Sequence, residues 1–156
     1  MQGNLFDSQA EALVNAVNTI GVMGRGVALE FKHRFPENNR VYRAACKRGE
    51  LVVGKMLTVD LGRETSLKRP RWIINFPTKQ HWRNPSKLEF VRDGLEDFVR
   101  VIESHGITSV ALPALGCGAG GLEWKAVRAL LEASLEPVAH VAFEIFEPDA
   151  EKISVH

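Results

Sequence analysis

Apolar runs alternate with amphipathic stretches along the chain, the pattern of strands interleaved with helices in a layered α/β domain. Glu11-Ala-Leu-Val-Asn-Ala-Val-Asn18 reads as a buried strand ending in a polar turn. A helix is predicted from Gly26 to Phe35 with Val27, Phe31 and Phe35 on one face, closed by Pro36. Strands follow at Lys55–Leu61 and Arg71–Phe76, joined by a basic turn from Gly62 to Pro70. The clearest helix is Lys87–Ser104, where Leu88, Val91, Leu95, Phe98 and Ile102 recur at alternating spacings of three and four. Ser86 with Glu89 forms a capping-box pattern at its start, and Gly106 suits a left-handed exit. Ile107–Pro113 is a strand rich in branched residues, and Leu122–Leu135 a helix carrying Trp124, Val127, Leu131 and Leu135. Val138–Phe146 is a last strand, followed by a polar tail from Glu147 to His156.

At 156 residues and 45% hydrophobic, the chain has the size of one domain with its own core, residues 1–156, and the tail can lead into a further domain. Net charge is only +1, yet Arg63–Arg92 holds eight Lys/Arg against Glu64 and Glu89, whereas every ionised side chain from Glu132 to Glu151 is acidic. Such asymmetry can steer an anionic partner to one face, and it equally describes two solvated faces of opposite sign. Cys46 and Cys117 lie far apart in no CxxC or Cys/His cluster, which argues against a zinc site or disulfide framework and fits a reducing cytoplasm. No segment has the ~18 apolar residues of a membrane span, and Met1–Asp7 lacks the pattern of a secretory signal.

Two loops each follow a predicted strand and open a helix: Gly21-Val-Met-Gly24-Arg25-Gly26-Val27-Ala28 and Gly116-Cys117-Gly118-Ala119-Gly120-Gly121-Leu122. Without Cβ atoms, glycines let backbone N–H groups turn toward one point, and a helix start adds positive partial charge, so such loops favour phosphate. Two of them at the carboxyl ends of strands make a diphosphate clamp. Neither has Walker spacing, the first is not GxGxxG, and tight turns need glycine for geometry alone.

Between these loops lies Phe76-Pro77-Thr78-Lys79-Gln80-His81-Trp82, placing a lysine just past a buried strand. A cation there can neutralise phosphate. With Pro77 stiffening its approach and basic neighbours favouring the uncharged amine, it can also act as a nucleophile. Asn15 and Asn18 end the first strand, where carboxamides can bind sugar hydroxyls or turn the backbone. Cys117 has no obvious histidine partner and reads as a small loop-filling residue; His81 and Trp82 can stack on a base or lie on the surface.

Assembled, these motifs resemble the macrodomain family of ADP-ribose-binding modules. The similarity covers Gly3-Asn4-Leu5-Phe6, Val14-Asn-Ala-Val-Asn18, Met23-Gly-Arg-Gly-Val-Ala28 and Leu112-Pro-Ala-Leu-Gly-Cys-Gly118, with MGxGxA, Thr78-Lys79 and GCGxxxLxW together being specific. The resemblance implies a three-layer α/β/α fold with a central mixed, mostly parallel sheet. It is strongest to the lysine-dependent branch of terminal ADP-ribose glycohydrolases, which includes DNA ADP-ribosyl glycohydrolase antitoxins.

From that branch follow several expectations. Lys79 would be catalytic, with no metal and no cofactor. Asn4 stands where many members have an adenine-contacting aspartate, so that contact would be weaker or rest on the Leu5 backbone. Asn18 would face the distal ribose and Thr19 would join the substrate contacts, Gly24, Arg25, Gly26 and Val27 would form the first phosphate loop, Thr78 would flank the lysine, and Gly116, Cys117, Gly118, Ala119, Gly120 and Gly121 would form the second. Gly120 departs from the aspartate that protein-directed members carry. The implied substrate is ADP-ribosylated thymine in single-stranded DNA. The implied partners are ADP-ribose, that DNA and a cognate ADP-ribosyltransferase toxin bound outside this chain. Trp72 and Trp82 in the basic segment would guide the DNA. A non-catalytic ADP-ribose reader and a hydrolase of ADP-ribosylated acidic side chains are the alternatives.

Overall fold

The computed structural model describes residues 3–24, 26–62, 69–81, 83–118 and 120–148. Among these, five strands form one sheet: β1 (Ala12–Asn18), β2 (Leu57–Asp60), β3 (Trp72–Lys79), β4 (Ser109–Leu112) and β5 (Ala142–Ile145). Their order is β2-β3-β1-β4-β5, with β2 antiparallel to β3 and every other pairing parallel. The helices are α1 (Gly26–Arg34), α2 (Pro36–Lys47), α3 (Leu88–Ser104) and α4 (Trp124–Leu135).

The layers follow from the two-residue period of the strands. Ala12 and Val14 of β1, Ile74 and Phe76 of β3, and Val110 and Leu112 of β4 face Val91, Leu95, Phe98 and Ile102 of α3 and Val127 and Leu131 of α4. The intervening Leu13, Val17, Ile73 and Ala111 face Phe31 of α1 and Tyr42 and Ala45 of α2. Each large apolar side chain buried here contributes about 1.5–3 kcal/mol relative to exposure. The sheet is thus covered on both faces, as the three-layer expectation required.

Several local expectations are corrected. Pro36 does close α1, which ends at Arg34 with Phe35 non-helical, but it also opens α2, at the first turn where its missing N–H costs nothing. Helix α2 is amphipathic but polar overall, and its buried positions are Asn38, Tyr42 and Ala45 in place of aliphatic residues. Val27 does not join the α1 core face and is 41% exposed. At α3 the N-cap is Lys87, without a side-chain hydrogen bond, so the Ser86/Glu89 capping box does not form. Gly106, at φ 64°, does take the left-handed exit.

Strand β3 continues past Phe76 to Lys79. Proline is tolerated there because β2 pairs only with Trp72–Asn75, which leaves Pro77 on an edge on that side while Val17 of β1 faces it on the other. The extension separates Trp72 from Lys79 by about 23 Å at ~3.3 Å per residue. Trp72 is buried in the core and stacks on His105, with ring centroids 4.5 Å apart, so it is unavailable to a nucleic acid base. Arg71, beside it, pairs with Asp60. The basic segment is therefore split between opposite ends of the sheet, and residues 63–68 and Trp82 lie outside the described residues.

Candidate functional site

Because β3, β1 and β4 run parallel and adjacent, their carboxyl ends share one edge. A cavity of about 510 Å³ opens there. Asn18, Gly24, Gly26, Val27, Thr78, Lys79, Gly116, Gly118 and Gly120 all line it, which brings both glycine loops and the lysine to one space. Asn4, Leu5, Thr19, Cys117 and Gly121 are not on its wall. Arg25 and Ala119 fall outside the described residues.

The first loop is built around Asn18. Its Oδ1 accepts from the N–H groups of Ile20, Gly21 and Val22 at 3.2, 3.2 and 3.3 Å, and its Nδ2 donates to the Val22 carbonyl at 2.8 Å. The Tyr42 hydroxyl lies 2.7 Å from the Asn18 carbonyl oxygen and 2.8 Å from Oδ1, donating its single hydrogen to this pair. Burial, followed by the nearby Cys46, pushes the Tyr42 hydroxyl well above the usual phenol range, so it remains a donor at any physiological pH. The carboxamide expected to contact a sugar is thus engaged in turning the backbone. Gly21, at φ 98°, sits against Cys46, with room for no more than close contact beyond its Cα. Gly26, at φ 60°, begins α1 and turns the amide end of that helix toward the cavity.

Asn15 does not reach the cavity. It is fully buried, donating to Asn75 Oδ1 at 3.3 Å and lying 3.7 Å from the Met23 sulfur. Asn75 in turn exchanges hydrogen bonds with Asn38 of α2 at 3.1 and 2.9 Å, so three carboxamides tie β1, β3 and α2 together beneath the loop.

The second loop turns on Gly116 at φ 74° and Gly121 at φ 79°. Leu122 N–H donates to the Gly116 carbonyl at 2.9 Å, closing it on itself, and Ser86 N–H donates to the Gly120 carbonyl at 3.0 Å, tying it to the segment before α3. A Cβ on Gly120 would lie 2.5 Å from the Gly116 carbonyl oxygen and would collide with Ser86 Oγ. An aspartate has no space at this position. Cys117 is half-buried, and burial pushes its thiol up to about 11, so it is protonated at neutral pH and suits packing rather than attack.

Lys79 ends β3 as the register partner of Asn18, past an irregularity between Val17 and Asn18. It is partly buried. Thr19 Oγ1 donates to the Gln80 carbonyl at 3.0 Å, holding the turns that follow β1 and β3 together. Beyond Lys79, His81 Nδ1 accepts from Arg83 N–H at 3.0 Å. No group of three or more His, Cys, Asp or Glu poised to hold a metal ion occurs among the described residues.

Two residues of the site escaped sequence reasoning. Ser86 lines the cavity, and its only signal was the capping pattern it does not fulfil. Tyr42 anchors the first loop from an unrecognised helix, and the one signal available was its being the sole tyrosine.

The family model for the Macro domain matches residues 14–131. The chain is 50% identical over 146 residues to the DNA ADP-ribosyl glycohydrolase of Mycobacterium tuberculosis, a match covering 94% of this chain and 41% of that protein. It therefore spans about two fifths of that relative's length. The solved macrodomain of Mycobacterium tuberculosis DarG superposes with a TM-score of 0.92 at 49% identity, covering 96% of each chain. Thermosipho africanus DarTG in complex with ADP-ribose superposes with a TM-score of 0.85 at 39% identity, covering 94% of this chain and 40% of that one. With the two loops, the parallel strand ends and these matches in agreement, the chain belongs to the Macro domain family.

Proposed function

We propose that this domain is a DNA ADP-ribosyl glycohydrolase of the cytoplasm, removing ADP-ribose from thymine in single-stranded DNA and so reversing the modification made by a toxin. The observation that carries the proposal is that Lys79 and both glycine loops line one cavity. The Mycobacterium tuberculosis protein bears that activity's name, and the Thermosipho africanus protein was solved with ADP-ribose bound. On this reading the backbone N–H groups of Gly24 and Gly26 in the first loop and of Gly116, Gly118 and Gly120 in the second hold the diphosphate, placing C1″ of the distal ribose at the Lys79 amine. Positioning of this kind supplies a large part of catalysis by itself.

Two routes are open to the amine. In the covalent route the uncharged amine displaces the base from C1″, the base leaving with a proton; the C1″–O4″ bond then opens, O4″ taking the second amine proton, to give a Schiff base that water hydrolyses to release ADP-ribose and restore the amine. In the electrostatic route water attacks C1″ while the ammonium stabilises charge on the departing base. Borohydride traps an adduct on Lys79 only in the first. A reader that merely binds ADP-ribose needs the clamp and not the lysine. The modified DNA enters past Lys79, His81 and Arg83, and a region outside this chain engages the toxin.

The test is to incubate the protein side by side with ADP-ribosylated single-stranded DNA and with a glutamate-linked ADP-ribosyl protein. Release from the DNA at the higher rate is the expected result. Release from glutamate alone reassigns the substrate, and release from neither makes the domain a reader.

A further inference from the structure

Ser86 stands out among the cavity residues because nothing in the fold uses its hydroxyl. The residue is 5% exposed, and its Oγ has no hydrogen-bond partner among the described residues. A buried, unsatisfied hydroxyl costs about 1–3 kcal/mol, so native structures rarely keep one without a use. The usual use for a serine before a helix is capping, and α3 begins at Lys87 without it. The side chain lies instead against the second loop: its Oγ and Cβ fill the space over Gly120, and its Cβ would be 3.1 Å from a Cβ on Gly116. Its backbone N–H is already committed to the Gly120 carbonyl at 3.0 Å, which fixes the hydroxyl beneath that loop.

Resting on the nucleotide-binding role of this cavity, we infer that Ser86 is a substrate-positioning residue whose hydroxyl donates to a phosphate oxygen of the bound diphosphate. The donor is held without a partner until the second loop shifts to admit that oxygen. Phosphate is the group assigned because both loop residues beside Ser86, Gly116 and Gly120, line the same cavity and belong to the glycine loop proposed to hold the diphosphate. The neighbouring Gly120 carbonyl accepts from the Ser86 N–H and not from its hydroxyl.

The inference separates from a structural role by the sign of its effect on stability. Removing a polar group that lacks a partner leaves stability unchanged or raises it, whereas removing a bonded one lowers it. In Ser86→Ala the melting temperature should stay level or rise, while calorimetric affinity for ADP-ribose and for ADP should fall alike by ~3–10-fold, the worth of one such bond. Unchanged affinity for both, with the unaltered protein binding normally, overturns the inference alone. A fall with ADP-ribose only overturns the assignment to phosphate, and a lowered melting temperature with unchanged affinity makes Ser86 structural. If the unaltered protein binds neither nucleotide, the nucleotide-binding reading itself fails.

Discussion

Lys79 faces Asn18 across the parallel ladder of β3 and β1, so the residue proposed for chemistry and the residue that builds the first loop are adjacent in register. The irregularity between Val17 and Asn18 shifts this last pair out of step with the ladder below. Loop shape and amine position are therefore set by one strand end, and a change at either is felt by the other.

Asn18→Ala tests this coupling. It removes the acceptor for three backbone N–H groups, and each lost bond is worth about 0.5–1.5 kcal/mol. ADP-ribose affinity should fall at least ~10-fold by calorimetry, at ~1.4 kcal/mol per tenfold. Tyr42→Phe should have the milder version of the same effect, with a melting temperature lower by about 2–4 °C for ~1 kcal/mol.

A packing prediction concerns Gly94 on α3. An added Cβ would lie 2.5 and 2.6 Å from two ring carbons of Phe76, itself fully buried one residue before Pro77. Alanine normally gains about 1 kcal/mol over glycine in a helix, but overpacking costs about 1–3. The clash wins because both the ring and the helix are pinned in the core. Gly94→Ala should lower the melting temperature, and an increase would show that α3 can move away from β3.

The pH dependence of stability has a definite sign. The Cys117 thiol is raised by burial from 9.0 to about 11, and Cys46 is raised in the same direction, again by burial. Between those values the unfolded chain loses the proton while the folded chain keeps it. Stability is therefore full below pH 9 and declines as pH rises toward 11. Denaturant melts at pH 7.5 and 10 should show this decline, and Cys117→Ala should reduce it. Slow alkylation of Cys117 at pH 7.5, with activity retained in Cys117→Ala, completes the expectation.

The split of the basic segment makes a paired prediction about DNA. Arg83 lies just beyond the cavity end of β3, whereas Arg71 precedes its other end and bonds Asp60. Arg83→Gln should slow release from modified single-stranded DNA while sparing ADP-ribose affinity, and the loss should shrink at high salt. Arg71→Gln should leave both unchanged. Equal effects of the two would place the DNA elsewhere.

The three-layer arrangement followed from the family resemblance, whereas the strands, helices α1, α3 and α4 and the two glycine loops were legible in the sequence because strand and helix periods differ and glycine marks positions where the backbone must turn. Helix α2 was not, since an asparagine and a tyrosine carry its buried face where the pattern needs aliphatic residues. The reach of β3 to Lys79 was hidden by Pro77, whose tolerance depends on where β2 ends, a tertiary fact. Trp72 looked available for stacking because burial at the start of a strand leaves no local mark. Ser86 shows the same limit from the other side: its spacing to Glu89 is right for a cap, and only the approach of the second loop decides that the hydroxyl goes elsewhere.

The most direct test of the central claim is single-turnover release of ADP-ribose from modified single-stranded DNA by Lys79→Ala, alongside calorimetry with ADP-ribose. The loops predict binding within a few-fold of the unaltered protein, and the amine at the cavity wall predicts release reduced by ~10²-fold or more. Release at the unaltered rate, with binding intact, would contradict the assignment of chemistry to Lys79.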